Sequence, residues 1–165
     1  MQNLSMGIEE ITLPAIDIVG HYAQGRVDSY KHWTSKVWQA CVEDFLSVSR
    51  IIKRNGMNVA GVWGLRRNKL TEWTTWGQDL GAYMVGFELK EPINEIPEGW
   101  IRWQVPSYKY IVAKTSKENY DKVYEYIVRM ELVARNYNLL AGPFDLYRSL
   151  NQDAETEIYF PVVAI

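Results

Sequence analysis

Two short motifs near the end of the chain each place a carboxylate two residues before a tyrosine: Asp145 before Tyr147, and Glu157 before Tyr159. Side chains two residues apart in a β-strand point to the same face of the sheet. A carboxylate can neutralise a cation or activate a water molecule, and an aromatic ring attracts a cation by about 0.5–2 kcal/mol per contact. If both motifs lie in β-strands, they predict a surface that binds a lipophilic, aromatic and cationic molecule.

The alternation of apolar and polar residues predicts which side chains share this surface. Phe144 and Leu146 are expected to point towards covering helices, which leaves both carboxylates and both phenols on the opposite face of two neighbouring strands. Met84 and Glu88 are expected on the same face, whereas Trp63 and Trp103 have mixed neighbours that leave their direction open. The candidate ligand-binding residues are therefore Glu157, Tyr159, Asp145, Tyr147, Trp63, Trp103, Glu88 and Met84.

By pattern alone, the simpler alternative is a solvated sheet face on which the tyrosines are ordinary cross-strand partners. The composition adds one argument for a lined cavity. Of the 165 residues, 13% are aromatic, including 7 Trp and 11 Tyr, whose polar groups suit a cavity wall or an interface better than an apolar core.

Other bulk properties narrow the class of protein. The length predicts a single domain spanning residues 1–165. A net charge of −2 produces no strong field towards nucleic acid or anionic lipid. Cys41 is the only cysteine and cannot form an internal disulfide. Since no signal peptide or membrane-spanning run is evident, we expect a cytoplasmic location with no membrane partner.

The two halves of the sequence show the same order of elements. A strand from Ile11 to Gly20 precedes a helix predicted from Lys31 to Arg54, ended by Asn55-Gly56, and then a hairpin. In the second half a strand precedes a helix from Ser116 to Tyr137, with the spacing of a capping box at Thr115–Glu118, and a final hairpin. We therefore predict an α+β fold of two strand-helix-strand-strand modules, residues 8–92 and 98–165. The sheet is expected to be mainly antiparallel, with both helices on one face and a ligand groove on the other face or between the modules.

The segments GAYMVGFELK, IPEGWIRWQVPSYKYIVAKT, GPFDLYRS and EIYFPV resemble the GyrI-like small-molecule-binding domain. This is the effector-binding domain of AraC-type and multidrug-sensing bacterial regulators. The resemblance implies two modules about a pseudo-two-fold axis, with ligands held between them by aromatic residues and a late-strand carboxylate. Glu157 and Tyr159 match the terminal Glu-x-Tyr of the family, and Asp145 matches a position where the family more often has Glu.

The resemblance supports a stand-alone binding domain for lipophilic, aromatic and cationic molecules, as monomer or homodimer. Both predicted helices are needed to cover the sheet, so no direct nucleic-acid binding is expected, and the basic cluster Arg66–Lys69 is interpreted as a solvated loop. No cofactor or metal motif is evident. His21 and His32 lack partners with catalytic spacing, and Cys41 falls on the apolar stripe of the first helix.

Two alternatives remain open. Some stand-alone members of this family are hydrolases that open cyclopropane rings of genotoxic compounds, and here Glu157 would be the base that activates water. The other alternative is a protein-interaction module related to the gyrase-inhibiting members. The second would need an exposed acidic surface, for which the modest net charge gives little support.

Overall fold

The computed structural model describes residues 7–69, 72–150 and 155–165. The chain forms an α+β fold dominated by one antiparallel sheet. Its elements are β1 (Glu9–Leu13), β2 (Ile16–Arg26), α1 (Tyr30–Glu43), β3 (Arg54–Asn55), β4 (Asn58–Val59), β5 (Val62–Asn68), β6 (Leu80–Glu88), β7 (Ile101–Val105), β8 (Tyr108–Thr115), α2 (Tyr120–Tyr126), a π-helical segment (Ile127–Glu131), α3 (Leu132–Ala134), β9 (Tyr137–Leu139), β10 (Phe144–Tyr147) and β11 (Thr156–Ala164).

The large sheet is strongly curled because two very short connections join its opposite ends. The strand order is β1-β8-β11-β10-β5-β6-β2-β7, with β9 paired to β11. In a flat sheet, β1 and β2 would be about 29 Å apart at a strand spacing of about 4.8 Å. The link of Pro14 and Ala15 spans at most about 11 Å. The same conflict arises between β7 and β8, which are linked by Pro106 and Ser107.

The two connections lie against each other. The hydroxyl of Ser107 donates a hydrogen bond of 2.8 Å to the carbonyl oxygen of Leu13, at the end of β1. The edges of the sheet therefore approach one another, and the sheet encloses its own inner face.

This inner face is a hydrophobic core that none of the described helices covers. Trp63, Met84, Trp103 and Tyr159 all point into it and expose at most 7% of their surface. The ligand groove was predicted on the face opposite the helices or between the modules. The first of these two positions is wrong, because the curl packs the inner face against itself.

The outer face of the sheet carries both helices, as predicted. α1 buries Val37, Trp38 and Cys41 against β2 and β6. α2 and its continuation cover β8 and β11 through side chains that include Val123 and Ile127. The two helices thus cover different parts of one face, and a cleft lies between them over the uncovered part of the sheet.

The first strand and helix differ from the sequence prediction in their bounds. Pro14 and Ala15 divide the predicted strand into β1 and β2. α1 ends at Glu43, because the carboxylate of Asp44 binds the hydroxyl of Ser47 and the indole nitrogen of Trp100, each at 2.7 Å. Of the Asn55-Gly56 pair expected to stop the helix, Asn55 instead ends β3, and Gly56 begins the two-residue turn of the small hairpin β3–β4.

The second helix also begins later than predicted, at Tyr120. The capping box does not form, because Thr115 is the last residue of β8 and its hydroxyl donates to the carbonyl of Ser116. The π-helical segment adds a residue to one turn and rotates the face that follows. As a result Met130 is 60% exposed, while Leu132 is 2% exposed and takes the core position.

Within the described residues, no helix is long and apolar enough to cross a membrane.

The close pairing of β2 with β6, where Gly20 lies opposite Gly86, requires glycine at Gly86. A Cβ there would lie 2.4 Å from the carbonyl oxygen of Val19 and 2.9 Å from the Cα of Gly20, and neither backbone atom can move easily. We expect Gly86→Ala to lower the free energy of unfolding by about 2 kcal/mol or more. Urea denaturation followed by circular dichroism measures this. Gly77→Ala is the control, since its Cβ would meet only the Asn68 side chain at 3.6 Å; a similar loss in both variants would contradict the close-approach argument.

Cys41 is fully buried in α1, as its place on the apolar stripe indicated. Burial, with a smaller contribution from Asp44, raises the pKa of its thiol to about 12. Since the thiolate is the reactive form, modification by a disulfide reagent at pH 8 should be at least about a thousandfold slower in the native protein than in urea. A fast native reaction measured by absorbance would show that Cys41 is accessible.

Candidate functional site

The two acidic motifs lie on opposite faces of the sheet. In the pairing of β10 with β11, Asp145 opposes Ile158 and Leu146 opposes Glu157. Directly opposed residues share a face. Asp145 therefore lies on the outer face beneath the helices, and Glu157 lies on the inner face. The prediction that two carboxylates and two phenols share one surface is therefore wrong.

The error came from the direction assigned to β10. Phe144 and Leu146 were expected to face the helices, but both belong to the inner core. Since the curled sheet has an apolar core on each side, apolar residues in a short strand do not reveal which side they occupy.

A cleft of about 440 Å³ lies on the outer face between α1 and the start of α2. Its walls come from both helices and its floor from β5, β6, β10 and the start of β11. The lining residues are Tyr30, Lys31, Thr34, Ser35, Trp38, Arg66, Tyr83, Lys117, Tyr120, Asp121, Asp145, Tyr147 and Thr156. An adjoining cavity of about 250 Å³ shares several of them, including Arg66 and Tyr120. We call the larger space the interhelical cleft.

The floor of the cleft contains a buried ion pair. Asp145 is 1% exposed, and its Oδ2 accepts a hydrogen bond of 2.9 Å from Nη1 of Arg66. Its Oδ1 accepts a 2.6 Å hydrogen bond from the hydroxyl of Tyr120. Nη1 of Arg66 also donates to the carbonyl oxygen of Pro143 at 3.0 Å. These bonds join β5 and β10 to the first turn of α2.

Burial and charge pairing act in opposite directions on these groups. Burial raises the pKa of Asp145, and the guanidinium of Arg66 opposes that rise. Burial alone would lower the pKa of Arg66, but the Asp145 carboxylate and the neighbouring tyrosine hydroxyls together outweigh burial, so the pKa of Arg66 lies well above its ordinary value. Burial also raises the pKa of the Tyr120 phenol well above its usual range. Arg66 is therefore a cation, and Tyr120 a hydrogen-bond donor, near neutral pH.

Aromatic rings surround the ion pair. The ring centroids of Trp38 and Tyr147 are 4.7 Å apart in an edge-on arrangement, and the indole nitrogen of Trp38 donates to the hydroxyl of Tyr83 at 3.2 Å. The guanidinium carbon of Arg66 lies 5.5 Å from the ring centroids of both Trp76 and Tyr83, within range of a cation–π contact. The cleft therefore has rigid aromatic sides and a hydrogen-bonded, charged floor.

Glu157 and Tyr159 lie away from this cleft. Glu157 forms an ion pair with Arg148, and the Tyr159 ring packs edge-on against Trp63 with centroids 5.0 Å apart. Of the predicted ligand-binding residues, Asp145 and Tyr147 line the interhelical cleft and Glu157 and Tyr159 do not.

The other predicted residues also belong to the inner side. Met84 and Trp103 are buried in the inner core. Glu88 pairs with Lys53, and it lines a cavity of about 90 Å³ together with Trp63. The structure therefore divides the predicted set into two groups on opposite faces.

Sequence reasoning missed Arg66, Trp38, Tyr83 and Tyr120. Arg66 was assigned to a solvated loop, but it lies in β5 and its side chain is 14% exposed. The sequence did contain a signal for Arg66. Two consecutive arginines lie at the end of a strand pattern, and consecutive side chains of a strand point to opposite faces of the sheet. The neighbouring Arg67 does point inwards, with its guanidinium carbon 4.7 Å and 4.6 Å from the rings of Trp73 and Trp103.

No group of three or more potential metal ligands occurs among the described residues. The lining of the cleft consists of aromatic rings, hydroxyl groups and charged side chains.

Residues 8–162 match the model of the Cass2 family, described as integron-associated effector binding protein. The chain belongs to this family, and the resemblance to GyrI-like domains is confirmed. No curated protein matches the sequence.

Solved structures with the same fold include SAV2435 bound to tetraphenylphosphonium, at a TM-score of 0.68 and 19% identity over 96% of this chain and 94% of that one. The C-terminal domain of EcmrR has a TM-score of 0.63 at 12% identity and covers 97% and 99%. An integron cassette protein from Vibrio cholerae has a TM-score of 0.62 at 13% identity and covers 98% and 100%. At these identities the likeness shows the shared fold.

Removal of Arg66 should leave the Asp145 carboxylate buried in the protein interior without a cationic partner. We expect Arg66→Met to lower the free energy of unfolding by about 3–5 kcal/mol at pH 7, and Arg66→Met/Asp145→Asn to recover much of that loss. Without its partner, Asp145 has a folded-state pKa above its unfolded value, so the penalty should shrink as pH falls through that folded pKa. Urea denaturation at pH 7 and pH 5 tests both points.

Arg129→Met is the matched control, because Arg129 is exposed and its pair with Glu125 contributes little. If Arg66→Met were no more destabilising than Arg129→Met at pH 7, the ion pair would not stabilise the floor as argued.

Proposed function

We propose that this protein binds small lipophilic aromatic molecules in the interhelical cleft, as an effector-sensing or sequestering domain. The observation that carries the proposal is the cleft itself. Its volume of about 440 Å³ is in the range of small-molecule sites. Trp38, Tyr83 and Tyr147 offer aromatic surface, and their positions are fixed by mutual contacts.

The place of the cleft in the fold supports the same function. It lies between the helices of the two halves, and each helix contributes a wall. A ligand there would contact α1, α2 and the four strands of the floor at once, so its binding would change the spacing of the helices and transmit that change to a partner. Membership of an effector-binding family agrees with this role.

The two predicted carboxylates do not place an unpaired negative charge in the cleft. A cationic ligand was expected because two carboxylates were placed on one surface. Asp145 is paired with Arg66, and Glu157 lies on the inner face. SAV2435 holds a cationic ligand, but a cation in the present cleft would meet a carboxylate that already has a cationic partner.

Binding has more support than hydrolysis. Both oxygens of Asp145 accept hydrogen bonds from protein donors, which leaves that carboxylate poorly placed to activate water. Glu157, the base of the hydrolase alternative, pairs with Arg148 and points away from the cleft. An interaction module of the gyrase-inhibitor type has no specific support in the geometry.

Filling the cleft should weaken ligand binding without disturbing the core. Thr34 is half-buried on the cleft side of α1, where an indole would occupy the ligand space. We expect Thr34→Trp to weaken binding of ethidium, Nile red or anilinonaphthalene sulfonate, whichever binds the wild type, by at least about tenfold, or 1.4 kcal/mol. Isothermal titration calorimetry measures this independently of the added indole.

Gln39→Trp is the control, because it adds the same ring to the exposed side of α1. Glu157→Gln should also keep wild-type affinity if the ligand occupies the interhelical cleft. Loss of binding in Glu157→Gln but not in Thr34→Trp would place the site on the inner side of the sheet and overturn the proposal.

A further inference from the structure

The floor of the interhelical cleft carries hydrogen-bond donors that the described residues do not use. Nη1 of Arg66 donates to Asp145 and to the carbonyl oxygen of Pro143. Its Nη2 and Nε donate to no acceptor among the residues that the structure describes. The Arg66 side chain is partly exposed and lines both the cleft and the adjoining cavity. Since a guanidinium can only donate, this part of the floor suits an acceptor on a ligand.

Two phenol hydroxyls add donors to the same floor. The hydroxyl of Tyr83 accepts a hydrogen bond of 3.2 Å from the indole nitrogen of Trp38, so its own proton is not used in that bond. The hydroxyl of Tyr147 forms no hydrogen bond with any described residue. Burial raises the pKa of both phenols, so both keep their protons near neutral pH. Both side chains line the cleft.

We infer that the interhelical cleft selects neutral aromatic molecules that carry a strong hydrogen-bond acceptor, such as a ketone or amide carbonyl, which Tyr147 and Arg66 bind. The inference rests on the proposed function, because it specifies the chemical class of the ligand at that site.

The charges around the cleft do not favour a charged ligand. On the floor, Arg66 and Asp145 neutralise each other at 2.9 Å. At the rim, Lys31 and Asp121 are exposed and carry opposite charges, and Lys117 takes part in an interaction of its own. Exposed charges are screened by water and salt. A charged ligand would therefore lose hydration without gaining an unpaired counter-ion on the floor.

The strongest acceptor on the floor is already occupied. One carboxylate oxygen of Asp145 accepts from Arg66 and the other from Tyr120, and the residue is 1% exposed. An ammonium or amine group on a ligand could reach this carboxylate only by displacing one of those donors. The floor thus combines unused donors with an occupied carboxylate, and this combination favours an acceptor on the ligand over a donor.

The aromatic part of the ligand has a contact surface beside these donors. Trp38 and Tyr147 pack edge-on with ring centroids 4.7 Å apart, and both line the cleft. Arg66 is close enough to Tyr147 for its charge to act on the pKa of that phenol. A ring against this surface and an acceptor at the donors can therefore belong to one small molecule, such as an aryl ketone.

Diphenyl probes that differ at the carbon joining the two rings provide the test. Benzophenone has a carbonyl there and diphenylmethane has none, while diphenylmethylamine is a cation at pH 7 and diphenylacetate is an anion. Burying a carbonyl without a partner is unfavourable, so a cleft without available donors would bind diphenylmethane more tightly than benzophenone. We expect the wild type to bind benzophenone at least about tenfold more tightly than each of the other three, measured by equilibrium dialysis.

Two variants identify the donors. Tyr147→Phe keeps the ring and removes only the hydroxyl, so the preference for benzophenone over diphenylmethane should fall at least about threefold. Arg66→Met/Asp145→Asn removes the guanidinium without leaving a buried charge, and it should lower the same ratio. Tyr126→Phe is the matched control, because Tyr126 is 37% exposed on α2 and lies outside the lining of the cleft. If melting temperatures show that the double variant is unfolded, Tyr147→Phe supplies the comparison.

The outcomes separate this inference from the function on which it rests. Binding of diphenylmethane as tight as that of benzophenone, and weakened by Thr34→Trp, would overturn the inference and leave the cleft as a small-molecule site. Tighter binding of either charged probe than of benzophenone would also overturn it, as would a benzophenone preference unchanged by Tyr147→Phe and by the double variant. If the wild type bound none of the four probes and Thr34→Trp altered the binding of no aromatic dye, both the inference and the proposed function would fail.

Discussion

The curl of the sheet is the constraint on which the rest of the structure depends. Two links of two residues each, Pro14-Ala15 and Pro106-Ser107, join strands at opposite ends of the strand order. Since such links cannot span a flat sheet, the sheet must bend until its edges meet. The bend gives the protein an inner core without helices and an outer face on which two helices leave a cleft between them.

The curl also explains why the two acidic motifs have different surroundings. Glu157 lies on the inner face of β11 and pairs with Arg148 at the end of the hairpin. Asp145 lies on the outer face of β10, where the helices exclude solvent. A carboxylate that is buried this deeply requires a partner. Arg66, on the adjacent strand, supplies the charge, and Tyr120 supplies the second hydrogen bond.

The floor of the cleft therefore holds elements together and carries charge through the same few side chains. The ion pair ties two strands to the second helix, and it also determines the electrostatic potential that a ligand meets. The charge that the cleft presents thus depends on the residues beside Asp145 as well as on Asp145 itself. The presence of a carboxylate in the cleft does not define a cation site until its partners are known.

The sequence by itself determined the fold class, the antiparallel hairpins and the presence of two helices on one face, because these follow from local periodicity and turn residues. It also led to Asp145 and Tyr147, since a carboxylate and a phenol on alternate residues of a strand are visible in the sequence. The direction of β10 was decided only by the tertiary structure. Both faces of the curled sheet are apolar, so alternation in a four-residue strand fits either direction. The partners of Asp145 likewise could not be predicted from the sequence, because Arg66 lies 79 residues away and Tyr120 belongs to another element. Their meeting depends on the order in which the strands pair, and strand order is a property of the whole chain.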